Sequence, residues 1–222
     1  MFLQNAISKR INDNNPVKVA LIGAGKFGSM FLSQVPSTLG IEVLVIADLK
    51  PDNAVKACKN VGWSDDLINK TKFVDRGTDA IKLNEVEVVI EATGFPAAGI
   101  EHARQAFQNG KHIIMVNVEA DVLAGAALVK EANSAGVVYS MAYGDQPALT
   151  AEIVEWARAS GFNVTSAGKG TRYQPIYHKS SPDTVWDYYG LTHEEAKKAG
   201  MNPKMFNSFL DGTKSGLEMA AI

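Results

Sequence analysis

Residues 17–30 read VKVALIGAGKFGSM, and this stretch decides the fold. VKVALI is a run of apolar and β-branched residues of strand length, and the GAGKFG that follows it opens a helix. A glycine pattern in that context is the fingerprint of a dinucleotide loop. Gly23 permits the tight turn, Gly25 lets the backbone approach a pyrophosphate, and Gly28 lets the helix close on the strand. The amides at the helix start add partial positive charge. Lys26 and Phe27 lie inside the same loop and are assigned to the cofactor site with it.

Outward from this unit the chain keeps one rhythm. Strand-length apolar runs follow at 42–48, 72–75, 87–94, 112–117 and 137–142, with helical segments between them. The alternation predicts an α/β Rossmann domain, a doubly wound parallel sheet of six strands over residues 17–147, preceded by an N-terminal helix in 1–16. After Tyr143 the texture changes. ALTAEIVEWARASG reads as one amphipathic helix, NVTSAGKGTRY (163–173) as a strand running into a loop, and the remainder as short helices rich in Pro, Asn and Tyr. Residues 148–222 are therefore expected to form a second, α+β catalytic and dimerisation domain. DGTKSGLEMAAI at 211–222 is a helical pattern that meets no stop signal, so this domain is expected to be incomplete at its C-terminus.

Composition narrows the partners. A formal net charge of -2 offers no basic footprint for nucleic acid. No window has the length and apolarity to cross a bilayer, and the N-terminal stretch lacks the apolar core of a signal peptide, so neither a membrane nor export is expected. Cys58 is the single cysteine, which excludes an internal disulfide and fits a reducing, cytoplasmic compartment.

The cofactor reads as NAD or NADP. Asp48 ends the second strand where an acid accepts hydrogen bonds from the adenosine ribose and favours NAD, whereas Lys50 stands ready for a 2′-phosphate. Ala92, Thr93 and Gly94 end the fourth strand with small residues that let a cofactor lie close. Substrate chemistry is expected from the strand-end loops and the second domain. Asn117, Glu119 and Asp121 follow the fifth strand. A carboxylate there suits a general base, a metal ligand or a helix cap. Asp145 and Gln146 sit in a loop that is either a wall of the site or an interdomain turn. Lys169 lies between two glycines, as an anion-binding ammonium would. Asp211 and Lys214 are three apart, so on one helix they share a face, and a charged lysine can donate to an oxygen that gains negative charge. The alternatives are a plain glycine-rich loop and a surface ion pair.

From Val17 onward the segments VKVALIGAGKFGSM, EATG, MVNVEAD, AYGDQPA, AGKGT and MFNSFLDGTKS resemble the homoserine-dehydrogenase-like oxidoreductases. More closely they resemble a branch that includes a reductoisomerase-like enzyme acting on 1-deoxy-D-xylulose 5-phosphate. The resemblance implies NAD(P)-linked hydride transfer, a catalytic domain that forms a homodimer, and Asp211 with Lys214 as acid and lysine at the substrate. It also aligns Lys169-Gly170-Thr171 with an Asn-Gly-Thr segment near the active site. Where homoserine dehydrogenases carry Ala-Asn-Lys after the fifth strand, this chain has Asn117-Val118-Glu119, an anion for a cation. That change points away from homoserine and toward a phosphorylated substrate. The function expected is formation of 2-C-methyl-D-erythritol 4-phosphate for isoprenoid precursor synthesis, with Glu119 and Asp145 as candidate ligands for Mg or Mn. The alternatives are a dehydrogenase of homoserine or another small hydroxy acid or aldehyde, and a non-catalytic dinucleotide-binding regulatory module.

Overall fold

A computed structural model describes residues 2–221 of the chain. It divides into two compact units between Ala142 and Tyr143, five residues before the boundary expected from sequence.

The first unit runs α1 (Phe2–Asn12), β1 (Val17–Ile22), α2 (Lys26–Gln34), β2 (Ile41–Ala47), α3 (Pro51–Asn60), α4 (Asp65–Lys70), β3 (Lys72–Val74), α5 (Gly77–Ile81), β4 (Val88–Glu91), α6 (Pro96–Gln108), β5 (His112–Met115), α7 (Val118–Ala135) and β6 (Tyr139–Met141). The six strands form one sheet in the order β3-β2-β1-β4-β5-β6, and every neighbouring pair is parallel. This is the doubly wound Rossmann arrangement, with the direction of winding reversing between β1 and β4.

Strand alternation builds a core on each face. Ala20, Ile22, Val45, Ala47, Val89, Ile113 and Met115 join Ala80, Ala103, Phe107 and Leu128 of the helices α5, α6 and α7. Val19, Leu21, Val43, Ile46 and Ile90 point the other way and pack with Leu32, Ala54, Cys58 and Trp63. The Trp63 indole donates to the Leu32 carbonyl at 2.7 Å, so this buried ring leaves no polar atom orphaned. α1 is fastened at the opposite edge of the sheet from the glycine loop. Arg10 grips Glu87 with both terminal nitrogens, at 2.9 and 2.6 Å. α7 ends on Gly136, whose φ of 70° is the left-handed stop.

The second unit contains α8 (Gln146–Ala159), a 3₁₀ turn (Pro175–Lys179), α9 (Val185–Tyr189), α10 (His193–Lys198), α11 (Pro203–Leu210) and α12 (Thr213–Ala220). Its core is small and aromatic: Val185, Trp186 and Ala196 with Phe206 and Leu210 against them. The strand expected within NVTSAGKGTRY does not form. Residues 162–174 carry no regular structure, because two glycines interrupt the segment and no alternating apolar face remains to pair. Among the described residues the second unit has no strand, and the β part of the expected α+β domain is missing from it. No helix among the described residues is long and apolar enough to cross a membrane.

Candidate functional site

The carboxyl ends of β1, β2, β3 and β4 border a cavity of about 530 Å³, lined by Gly23, Gly25, Asp48, Thr93, Arg76 and His102 among others. The three glycines have three different physical reasons. Gly23 turns at φ +96°, and a Cβ there would lie 2.7 Å from the Ala92 carbonyl oxygen. At Gly28 a Cβ would sit 2.2 Å from the Gly23 carbonyl oxygen, so helix and loop touch only because the side chain is absent. Gly25 has nothing within 4 Å on its Cβ side and faces the cavity. The space over Gly25 and the α2 amides is therefore open to an anion, as a pyrophosphate requires, and the loop fits a dinucleotide.

Asp48 stands just beyond β2 and latches this loop. Its Oδ2 accepts from the Ala24 amide at 3.1 Å and its Oδ1 from the Lys50 amide at 3.0 Å. Each oxygen keeps a lone pair for a ribose hydroxyl. Lys26 and Phe27 begin α2 with their side chains exposed, and neither lines the cavity. Lys50 is exposed and also outside the lining. The guanidinium that lines it is Arg76, after β3, a residue sequence reading passed over. Ala92 and Thr93 line the cavity, and Gly94 follows them at φ +69°. Asn117 is buried and structurally committed: its Oδ1 caps α7 through the Ala120 amide at 3.2 Å, and its Nδ2 donates to the Phe95 carbonyl at 3.0 Å.

Sequence reading also missed Glu91, the last residue of β4 and fully buried. Its Oε1 accepts from the Thr93 hydroxyl at 2.6 Å and the Thr93 amide at 3.4 Å, and lies 3.2 Å from His102 Nδ1, while Oε2 has no partner. A carboxylate closing an apolar strand, VVIE, was the available signal. On α7, Asp121 accepts from the Tyr139 hydroxyl at 2.7 Å. Burial pushes the Asp121 carboxyl above its ordinary range, against the pull of that hydrogen bond.

In the second unit the geometry departs from the expected pair. Asp211 and Lys214 do not share a helix face. Asp211 caps the end of α11, Gly212 follows at φ +83°, and α12 starts afresh at Thr213. The Asp211 carboxylate is taken up by Thr213 and Asn207. Lys214 turns instead to Glu218, one turn along α12, at 3.8 Å. Glu218 is buried and also pairs with Lys169 from the glycine-flanked loop. With its amide oriented to donate, Gln146 joins the group, 3.3 Å from Glu218 Oε1 and 2.8 Å from Asp145 Oδ1. Lys169 and Lys214 are thus brought together, by an acid that sequence reading did not name. Asp145 accepts from the Gln146 amide as the cap of α8, and Glu119 lies half-buried in the first turn of α7. Among the described residues no three His, Cys, Asp or Glu side chains cluster as a metal site.

Comparison with known proteins agrees with both units. Residues 144–222 match the catalytic domain of the oxidoreductase DRL. No curated protein sequence matches the chain. Among solved structures, myo-inositol dehydrogenase from Lactobacillus casei, in complex with NAD(H) and myo-inositol, is similar with a TM-score of 0.53 at 15% identity, over 77% of this chain and 50% of that one. yvaA of Bacillus subtilis, a protein classed as an oxidoreductase, gives 0.50 at 19% identity, over 74% and 47%. The chain spans half or less of the length of these structures, and at such identities the likeness is one of fold. Residues 23–142, more than half of the chain, match the NAD-binding domain of homoserine dehydrogenase, and the chain belongs to that family of oxidoreductase domains.

Proposed function

We propose that this chain binds NAD or NADP and serves hydride transfer between the nicotinamide and a hydroxyl-bearing or carbonyl carbon of a small anionic substrate. One observation carries the reading: Lys169 and Lys214 converge on a single buried carboxylate, Glu218, in the segment similar to the DRL catalytic domain. Two ammonium groups against one carboxylate leave one positive charge uncompensated. Glu218 holds both lysines in position. The nicotinamide, when bound, supplies or takes up the hydride. The lysines bind the substrate's anionic group and donate a hydrogen bond to the oxygen on which charge develops, which is where electrostatic stabilisation lowers the barrier.

Within that class we favour a reductoisomerase-like reaction that converts 1-deoxy-D-xylulose 5-phosphate to 2-C-methyl-D-erythritol 4-phosphate, because a phosphate and a reacting oxygen call for two cationic donors, and Glu119 replaces the cation of the homoserine enzymes. NAD is favoured by Asp48 at the ribose position, and Arg76 in the same cavity is the group that would meet a 2′-phosphate. No step is assigned to a divalent cation, since among the described residues neither Glu119 nor Asp145 belongs to a cluster of three His, Cys, Asp or Glu side chains. The catalytic unit is proposed to pair with a second copy, which sedimentation would measure.

The test is oxidation of NADH and NADPH by the full-length protein with 1-deoxy-D-xylulose 5-phosphate, and in parallel with aspartate semialdehyde. Lys214→Ala should lower turnover by about 100-fold or more, with dinucleotide affinity kept. Turnover of the semialdehyde and none of the sugar phosphate would replace the favoured substrate. Unchanged turnover in Lys214→Ala would remove the catalytic role of that lysine, whereas dinucleotide binding with no turnover of either substrate by the wild type would leave a dinucleotide-binding regulatory module.

A further inference from the structure

In the cavity wall lies a hydrogen-bonded chain that the hydride reaction does not use: Thr93 and His102, joined through the buried Glu91 behind them. We infer that His102 reads the 6-amino group of adenine and so selects adenine dinucleotides over analogues altered at that position. The inference rests on the reading that the cavity holds a dinucleotide.

The proton positions follow from the partners. A backbone N–H can only donate, so the Thr93 amide at 3.4 Å makes Glu91 Oε1 an acceptor, as does the Thr93 hydroxyl at 2.6 Å, whose own oxygen receives the Phe95 amide at 3.3 Å. His102 Nδ1, 3.2 Å from that same oxygen, must therefore carry a proton and donate it. In the neutral imidazole the lone pair is then on Nε2. Glu91 is fully buried and the His102 side chain is 12% exposed, so the tautomer is set inside the protein, and the ring edge that Glu91 does not hold is the one available to the cavity His102 lines.

That edge lies at one particular end. A Cβ on Gly77 would fall 2.4 Å from Nε2, which places this nitrogen beside the start of α5, and Nε2 has no hydrogen-bond partner among the described residues. With the glycine loop at the pyrophosphate and Asp48 at the ribose, the base belongs beyond Asp48, where Leu49, Arg76, Gly77 and His102 line the wall. An acceptor nitrogen there complements the N–H donors of a 6-amino group. Hypoxanthine presents a carbonyl oxygen at the same position, and two acceptors facing each other leave both unpaired. Gly77 is part of the device, since any side chain at 77 would displace the ring.

The experiment measures the dissociation constants of NADH and reduced nicotinamide hypoxanthine dinucleotide with the full chain, by nucleotide fluorescence. The wild type should prefer the adenine form by about tenfold. His102→Phe should bring the two within about threefold, while thermal melting confirms its fold. Gly77→Ala keeps every polar group of the chain and its methyl would press on the ring, at 2.4 Å from Nε2, and on the Ile22 Cγ2 methyl, at 2.9 Å, so it should lower the preference as well. Equal binding of the two by the wild type, or a preference that survives in His102→Phe, overturns the inference while the cofactor reading stands. Failure of the wild type to bind either one overturns both.

Discussion

The sharpest test of the glycine loop compares Gly25→Ala with Gly28→Ala, two substitutions of the same chemistry three residues apart. At Gly28 the new methyl would lie 2.2 Å from the Gly23 carbonyl oxygen. An ordinary contact requires roughly 1.3–1.8 Å more. Both partners are backbone, so α2 must lift off the turn, an overpacking that costs about 1–3 kcal/mol. For a chain of this size that corresponds to a fall in melting temperature of roughly 2–12 °C. Gly25 meets nothing within 4 Å, and its φ of -68° is open to any residue. Alanine there should shift stability by no more than about 0.5 kcal/mol. The methyl would instead occupy the space over the α2 amides, where a pyrophosphate must come close. Weakening one amide-to-phosphate hydrogen bond, worth about 1.5–3 kcal/mol, should reduce dinucleotide affinity by roughly 10- to 100-fold. Thermal melting without ligand and fluorescence titration with NADH and NADPH separate the two effects. If Gly25→Ala melts as low as Gly28→Ala, or binds the dinucleotide within about twofold of wild type, the assignment of the two glycines is refuted.

Two further substitutions test the remaining polar networks. Asp211→Asn removes one acceptor from a cap that serves Thr213 and Asn207, so urea unfolding should register a loss of about 1 kcal/mol, with turnover changed far less than in Glu218→Gln, where both lysines lose their counter-charge. Equal loss of turnover in the two would restore Asp211 to the chemistry. Tyr139→Phe strips the donor from Asp121, whose buried carboxyl already titrates above its ordinary 3.8. At neutral pH, where the carboxylate is charged, this should cost about 1–3 kcal/mol. The folded-state value is raised, so protonation relieves the cost as pH falls through that value. The stability gap between variant and wild type must therefore narrow toward acid, and a gap that widens there would contradict the burial argument.

What the sequence made legible is what neighbouring residues settle among themselves. VKVALIGAGKFG declares a strand, a turn and a helix within twelve residues, and the βα rhythm repeats until the sheet is complete, because a parallel strand buried on both faces is apolar throughout. The sites that escaped are tertiary. Glu218 and Lys169 are 49 residues apart and meet through the packing of a structureless loop on a helix. Glu91 and His102 are eleven apart on two different elements, β4 and α6, so no single helix or strand period relates them. The Asp211–Lys214 pair shows why a periodic rule misleads at a terminus. An interval of three residues places two side chains on one face only while the helix is continuous. Gly212 at φ +83° breaks it between them, and the acid becomes the cap of one helix while the lysine begins the next. The same glycine that ends the expected pairing lets Lys214 restart on α12, four residues before Glu218. The loss of the predicted acid and the gain of the actual one are therefore a single event in the backbone.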